Sequence, residues 1–310
     1  ALFLLCLRLS ILIIFPMHRS IIVLSLLFVL HSCAEDKNIF TSVNSIQLGT
    51  ESTLDIITWN IEKFPKQNAV TIDYLIKLIN SMNVDIIALQ EIESETDFKI
   101  LINSLENYDG IITNSASFNI NLALLYSVKL EVESTYEIFT DDWWSFPRSP
   151  LVAHIIWNEQ DIYIINNHFK ANENDSTEDE ARRKSASENL EDYVNEYLSV
   201  ENVIILGDLN DELNEDPSNN VFQNFINDAS NFKFTDMDIA YSSSSNWSYP
   251  SWPSHLDHIL ITNELFDEFD NEGSSVQTIR LEEYFDNGWI DYEKYISDHR
   301  PVGLSLKFNP

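Results

Sequence analysis

From Leu54 onward the apolar positions fall into short runs rich in β-branched residues, set between stretches of helical period. Leu54–Trp59, Asp85–Leu89, Leu122–Tyr126, Leu151–Trp157, Ile162–Asn166, Val203–Leu206, Ile259–Ile261 and Val302–Phe308 read as strands, because each is a compact apolar run closed by polar turn residues. Ala69–Met82 places Val70, Tyr74, Leu75, Leu78 and Ile79 at helical spacing, and Phe98–Leu105 predicts a second, shorter helix. Glu178–Leu198 predicts a long helix with Ala181, Leu190, Tyr193, Val194 and Tyr197 as inward candidates. The alternation predicts an α/β fold, an α+β sandwich in which two mixed sheets pack face to face with helices outside.

The N-terminal stretch has a different pattern. Residues 1–33 are apolar apart from a few positions around Arg8 and His18-Arg19. Met17 opens a better-formed segment: a short basic region, an apolar core from Ile21 to Leu30, then Leu30-His31-Ser32-Cys33, which resembles a bacterial lipobox with an unusual His31. The apolar core is too short to span a bilayer as a mature helix. The expected organisation is a non-native upstream extension over 1–16, a lipoprotein-type signal peptide over 17–33, a tether over 34–52 and one domain over 53–310. A single membrane anchor over roughly residues 1–30 is the alternative. Either places the domain outside the cytoplasm, as an outer-membrane or cell-surface lipoprotein or a secreted protein.

Charge adds a constraint. The chain has 310 residues and a net charge of −32; all 50 acidic residues and all but two of the 18 basic ones lie beyond residue 34. Such a surface stays hydrated and soluble, and salt screens its repulsion of nucleic acid within about 8 Å. It reads as adapted to salt and counts only weakly against a nucleic-acid substrate. The two cysteines, Cys6 and Cys33, precede the predicted domain, which therefore has neither a disulfide nor a cysteine metal ligand. With only six glycines the chain has no Gly-rich phosphate loop.

Six polar motifs punctuate the strand pattern: Thr58-Trp59-Asn60, Gln90-Glu91, Asn167-His168, Gly207-Asp208-Leu209-Asn210, Leu256-Asp257-His258 and Ser297-Asp298-His299. Four directly follow an apolar run, so a site assembled from several strand ends is expected. Carboxylate, amide and imidazole are the groups needed to hold a hard divalent cation and direct water at a phosphate ester. Asp208 and Asn210 stand on alternate positions and should share a face. Each motif alone has a plainer explanation: a turn Asn, a solvated acid, a structural His.

Taken in order, the motifs resemble the endonuclease/exonuclease/phosphatase superfamily, whose fold is that of deoxyribonuclease I, over about residues 53–310. The resemblance implies Glu91 as principal ligand of Mg²⁺ (or Mn²⁺ or Ca²⁺), with Asp298 as a second carboxylate and Asn60 joining the metal shell or orienting phosphate. It gives Asp208 the water-activating role, with Asn210 holding water or phosphate. His168 and His299 would stabilise or protonate the transferring group, and Asp257 would accept from His299 and favour its cation. Arg148 and Lys170 match substrate-binding positions. Departures are His255, where many members have a basic residue, and His258, where Tyr is frequent. Asn246–Pro253, with two Trp and a Tyr, would stack a ring or form a packed lid.

Three functions stay open. A secreted or surface-tethered monomeric endonuclease acting on DNA, or on RNA, comes first, with membrane contact only through its lipid anchor. Lys63, Lys66, Arg148, Lys170, Arg182, Arg183, Lys184 and Arg300 would then gather into a basic strip at the site mouth. A phosphatase or sphingomyelinase-like phosphodiesterase is second, since the catalytic set is shared. A non-catalytic surface-binding lipoprotein is third.

Overall fold

A computed structural model of the chain describes residues 46, 48–116, 119–173 and 176–309. The expected upstream extension and signal peptide, and the tether up to residue 45, lie outside the described residues. The later part of the expected tether belongs to the folded body. Ile46 is buried, and the Leu48 and Gly49 N–H groups donate to the Met82 carbonyl at 3.1 and 3.0 Å. No described helix is long and apolar enough to cross a membrane.

Among the described residues, twelve strands make two sheets of six. The first sheet runs in the order β11 (Ser275–Thr278), β12 (Val302–Leu306), β1 (Leu54–Phe64), β2 (Ile86–Ile92), β4 (Asn121–Ser127) and β3 (Tyr108–Ile112). The second runs β5 (Glu131–Glu137), β6 (Leu151–Trp157), β7 (Gln160–His168), β8 (Asn202–Asp208), β10 (Asp257–Thr262) and β9 (Phe232–Phe234). Each sheet is mixed, as predicted. Its one parallel pair, β1 with β2 or β7 with β8, is joined by a helical crossover, and every other pairing is antiparallel.

Side-chain alternation divides the core into layers. Leu54 and Ile56 of β1, Ile86 and Ala88 of β2, Ile162 and Ile164 of β7, and Ile204 and Leu206 of β8 fill the space between the sheets. The intervening Ile57, Trp59, Ile87 and Leu89 face outward onto α1 (Ala69–Met82) and α2 (Glu95–Asn103). On the other side, Ile165, Val203 and Ile205 meet Ala186, Leu190 and Val194 of α3 (Ser176–Tyr197). Some predicted inward positions differ. Val70 is exposed because α1 turns Thr71, Ile72, Leu75, Leu78 and Ile79 inward. On α3, Ala181 and Tyr197 face solvent, and the first half of the buried stripe is Asp179 and Arg183. Ion pairs replace apolar contacts there, and hydrophobic periodicity does not register them.

The topology brings the motifs together. The C-terminal ends of β1, β2, β7 and β8 carry Asn60, Glu91, His168 and Asp208. β10 and β12 run antiparallel to these strands, so their N-terminal ends reach the same edge; Asp257 pairs with Asp208, and Val302, just after His299, pairs with Thr58. By parity Asn60, His168, Asp208 and Asp257 continue the inter-sheet face of their strands. The sandwich opens at this end into a polar cluster. Beneath it, Gln90 Nε2 donates to Asn166 Oδ1 at 2.8 Å, bonding one sheet to the other.

Candidate active site

Facing irregularities in β1 and β2 build the first half of the site. Asn60 pairs with Gln90 and Phe64 with Ile92, so β1 has extra residues between matched positions. Glu62, Lys63 and Glu91 take positive φ values of 33°, 50° and 64° to accommodate them. Bulges of this kind re-aim side chains at strand ends. Here Glu91 accepts from the Lys63 N–H at 3.0 Å and from Asn60 Nδ2 at 3.2 Å. The second proton of the Asn60 amide goes to Asp208 Oδ2 at 2.9 Å, across the gap between the sheets. Asn60 Oδ1 accepts from the Glu62 N–H at 2.9 Å. Asn60 thus bridges Glu91 and Asp208 through its NH₂, while its oxygen holds the Glu62 N–H.

The second half gathers on Asp208. Its Oδ1 accepts from the Asn210 N–H at 3.1 Å, and its Oδ2 lies 3.5 Å from His168 Nε2 and 3.8 Å from His299 Nε2. Asn210, at φ 54°, donates its side-chain N–H to the Phe169 carbonyl at 3.2 Å. His299 Nδ1 bonds Asp257 Oδ2 at 2.7 Å. Its carbonyl accepts from the Tyr292 hydroxyl at 2.5 Å, which in turn accepts from Trp59 Nε1 at 3.0 Å. Ser297 Oγ donates to the Asn60 carbonyl at 2.6 Å and accepts from the His299 N–H at 2.9 Å. The ring of His299 is fixed from both sheets.

Proton affinities follow from these contacts. Burial alone would push His299 down, but the carboxylates of Asp257 and Asp208 outweigh it and push it up to about 10. His299 is an imidazolium. Burial drives His168 the other way, well below the usual histidine range, helped by the charges of Arg148 and His299; it is neutral. Its Nε2 faces the Asp208 carboxylate and carries the proton, and its Nδ1 is buried without a protein partner. Burial raises Asp208 to about 7, against the pull of His299. Burial also raises Asp298 to about 6, opposed by His299 and reinforced by the charges of Glu62 and Glu91.

The charges of Glu62 and Glu91 thus act on Asp298 together with that of Lys66, and Glu62 accepts from Lys66 Nζ and from the Asp298 N–H. Hard carboxylate oxygens that repel one another in this way fit a divalent cation. The donors of Asp208, Asp257 and His299 also converge. Their 2.7 Å Nδ1–Oδ2 contact is a hydrogen bond between an acid and an imidazole.

Arg148 reaches the site. Its charge acts on His168, Glu91 and Asp208, and its buried Nε has no protein partner. The buried ammonium of Lys170, expected at the substrate, bonds Asp179 at 3.2 Å, Glu173 at 3.0 Å and the Ala171 carbonyl at 2.8 Å. The expected basic strip does not form either. Lys66 pairs with Glu62, Arg183 with Asp211, Lys184 with Glu188 and Arg300 with Glu282, while Arg182 caps the Trp143 and Trp144 carbonyls. The aromatic loop is pinned in place: Tyr249 lies on the His299 ring at 4.8 Å, and Trp252 projects from the loop 78% exposed. Glu62 and Tyr292 escaped the sequence reading, although Glu62 stands two residues beyond Asn60, a spacing that signals a shared site.

A two-sheet sandwich with carboxylates, amides and an acid-paired imidazole at one edge is an arrangement suited to phosphate-ester chemistry. The model of the endonuclease/exonuclease/phosphatase family matches residues 57–299, and the chain belongs to that family, whose members hydrolyse phosphoester bonds with divalent metals. Among solved structures, D. rerio TDP2 complexed with a single-stranded DNA product aligns over 83% of this chain and 100% of its own, at 15% identity and TM-score 0.64. The human Nocturnin catalytic domain with bound sulfate covers 84% of this chain and 96% of its own, at 17% identity and TM-score 0.59. The Bacteroides thetaiotaomicron mannosyl-6-phosphatase covers 82% and 100%, at 13% identity and TM-score 0.58. These likenesses bear on the fold. No curated protein matches the chain by sequence.

Proposed function

We propose that the domain is a divalent-metal-dependent phosphodiesterase acting on nucleic acid, a secreted or surface-tethered monomeric endonuclease. The observation that carries the reading is Asp208: a buried carboxylate raised to about 7, held by Asn60 and Asn210, between a cationic and a neutral imidazole. A carboxylate so poised accepts a proton from water at neutral pH. Asn60 and the Asn210 N–H orient it for in-line attack on phosphorus. His299, kept cationic by Asp257, stabilises negative charge growing on the phosphoryl oxygens, and neutral His168 contributes an N–H hydrogen bond. Arg148 supplies planar donors to a phosphate oxygen. When bound at Glu91 and Asp298, Mg²⁺, Mn²⁺ or Ca²⁺ supplies Lewis acidity toward a phosphoryl oxygen. The single-stranded DNA product held by the D. rerio relative supports a nucleic-acid substrate. The apolar segment ending in Cys33 supports work outside the cytoplasm.

The internally paired cations favour a second reading, a phosphatase or sphingomyelinase-like phosphodiesterase with a compact substrate that needs no basic track. The full chain, with Mg²⁺ and with chelator, is tested on supercoiled plasmid, an inositol phosphate, mannose 6-phosphate and sphingomyelin. Metal-dependent nicking that is lost in His168→Ala supports the first reading. Intact plasmid with release of phosphate or phosphocholine moves the protein to the second. Full hydrolysis by Glu91→Ala overturns the metal assignment, and no hydrolysis of any substrate returns the non-catalytic binding protein.

A further inference from the structure

His255 and His258 meet at one buried carboxylate. Asp236 follows β9, and its Oδ2 lies 2.6 Å from His258 Nδ1 and 3.0 Å from His255 Nε2. Its Oδ1 accepts from the Ile259 N–H at 3.0 Å. All three side chains are buried. Their donor atoms converge as metal ligands would, but every ring nitrogen already has a partner. The Ser248 N–H donates into His255 Nδ1 at 3.2 Å, so His255 is neutral with its proton on Nε2. His258 faces the carboxylate on one side and the Asp211 carbonyl, at 2.9 Å, on the other. Both partners only accept, so His258 carries both protons and is the cation of the cluster. The edges of Phe222 and Phe234 flank its ring at 5.7 and 5.9 Å.

We propose that Asp236 is a positioning residue for the hydrolytic site, setting the turn that bears Asp208 and Asn210 through His258 and the strand end that bears Asp257 through His255. The first path ends at Asp211, whose carboxylate is held by Arg183 Nε at 2.8 Å while its carbonyl is held by His258. With Asp211 fixed twice, the preceding Asp208-Leu209-Asn210 turn has little freedom. The second path runs through Ser248. Its Oγ accepts from the Asp257 and Leu256 N–H groups at 3.2 and 3.1 Å, and its carbonyl accepts from the Arg300 N–H at 2.7 Å. Asp257 and the residue after His299 are thereby tied to the same anchor. One carboxylate thus governs the register between water-activating Asp208 and the Asp257–His299 pair. His255 and His258 share one carboxylate oxygen, and their other ring nitrogens decide the protonation: the Ser248 N–H keeps His255 neutral, while the Asp211 carbonyl takes the second proton of His258.

The test uses the full chain with ¹⁵N-labelled histidine, at neutral pH without metal. His258 is expected to show two protonated ring nitrogens and His255 one, on Nε2. In Asp236→Asn, His258 loses a proton and the His299 ring signals shift, although His299 does not touch residue 236. Turnover of an aryl phosphodiester with Mg²⁺ is expected to fall about 10–100-fold in kcat, as for other outer partners of a catalytic group, with KM changed less than about twofold. His255→Gln retains one donor and one acceptor and recovers most of the activity lost in His255→Leu; this pair serves if Asp236→Asn does not fold. A neutral His258 in the unaltered chain, His299 signals indifferent to Asp236→Asn, or equal losses in His255→Gln and His255→Leu would overturn the proposal. It rests on the hydrolytic reading only for turnover. An inactive chain with the predicted histidine spectra keeps the positioning and removes that reading.

Discussion

Gly207 stands where the two parallel strands of the second sheet are closest to the chemistry. It has φ +146°, and a Cβ built on it would lie 2.0 Å from the Asn167 carbonyl oxygen and 2.7 Å from the carbonyl carbon. Carbon and oxygen approach comfortably only to about 3.3–3.6 Å, so Gly207→Ala must part β7 and β8 by about 1.3 Å. Backbone strain at this φ costs about 1–3 kcal/mol and overpacking a similar amount, about 2–6 kcal/mol together. The next residue pair along these strands is His168 with Asp208. Displacement of catalytic groups by about 1 Å costs up to about 100-fold in rate. Thermal unfolding and turnover of an aryl phosphodiester are measured on the same preparation. A melting temperature lower by roughly 4–24 °C with a large loss of kcat is expected, at about 2–4 °C per kcal/mol for a domain of this size. A variant that melts with the unaltered protein and turns over normally would refute the close approach of the strands and its bearing on Asp208.

Divalent-metal stabilisation should depend on pH. Asp208 and Asp298 are raised to about 7 and 6, so in chelator they favour folding while protonated, fully below about pH 4, and that contribution is lost as pH rises through 6 and 7. Cation binding needs the ionised carboxylates, so the rise in melting temperature on adding Mg²⁺ should be larger at pH 8 than at pH 5.5; an equal or smaller rise would sink the assignment of Asp298. Tyr292→Phe removes the hydroxyl between Trp59 and the His299 carbonyl. Two buried groups lose their partner at about 1–3 kcal/mol each, so a clear drop in urea midpoint is expected, and an unchanged midpoint counts against the network.

The strand ends were legible because apolar runs stop abruptly at Asn60, Glu91, His168 and Asp208, and parallel pairing delivers those stops to one edge. The strands missed by pattern, β3, β5, β9 and β11, lack a sustained apolar run. β5 reads Glu131–Glu137 with most side chains exposed on a sheet edge, and β9 has only three residues. The pairing of Lys170 was hidden for a different reason. Its neighbours in sequence suggest the site, but the partner that claims it, Asp179, arrives from α3. Asp236 was invisible for the same reason: its role exists only once β9 has been laid beside β10.

The return of the last strand to the first sheet has a consequence for how the protein is made. β12 lies between β11 and β1, with Leu306 opposite Leu54. Until residue 306 leaves the ribosome, β1 has a bare edge, His299 has no seat beside Asp257, and β1 must wait for β12. A nascent chain can finish the second sheet early, since all six of its strands precede residue 263, yet remain without an assembled catalytic centre. Assembly of the candidate site therefore waits for β12, and the unpaired edge of β1 is the feature a holding chaperone would shield in the interval.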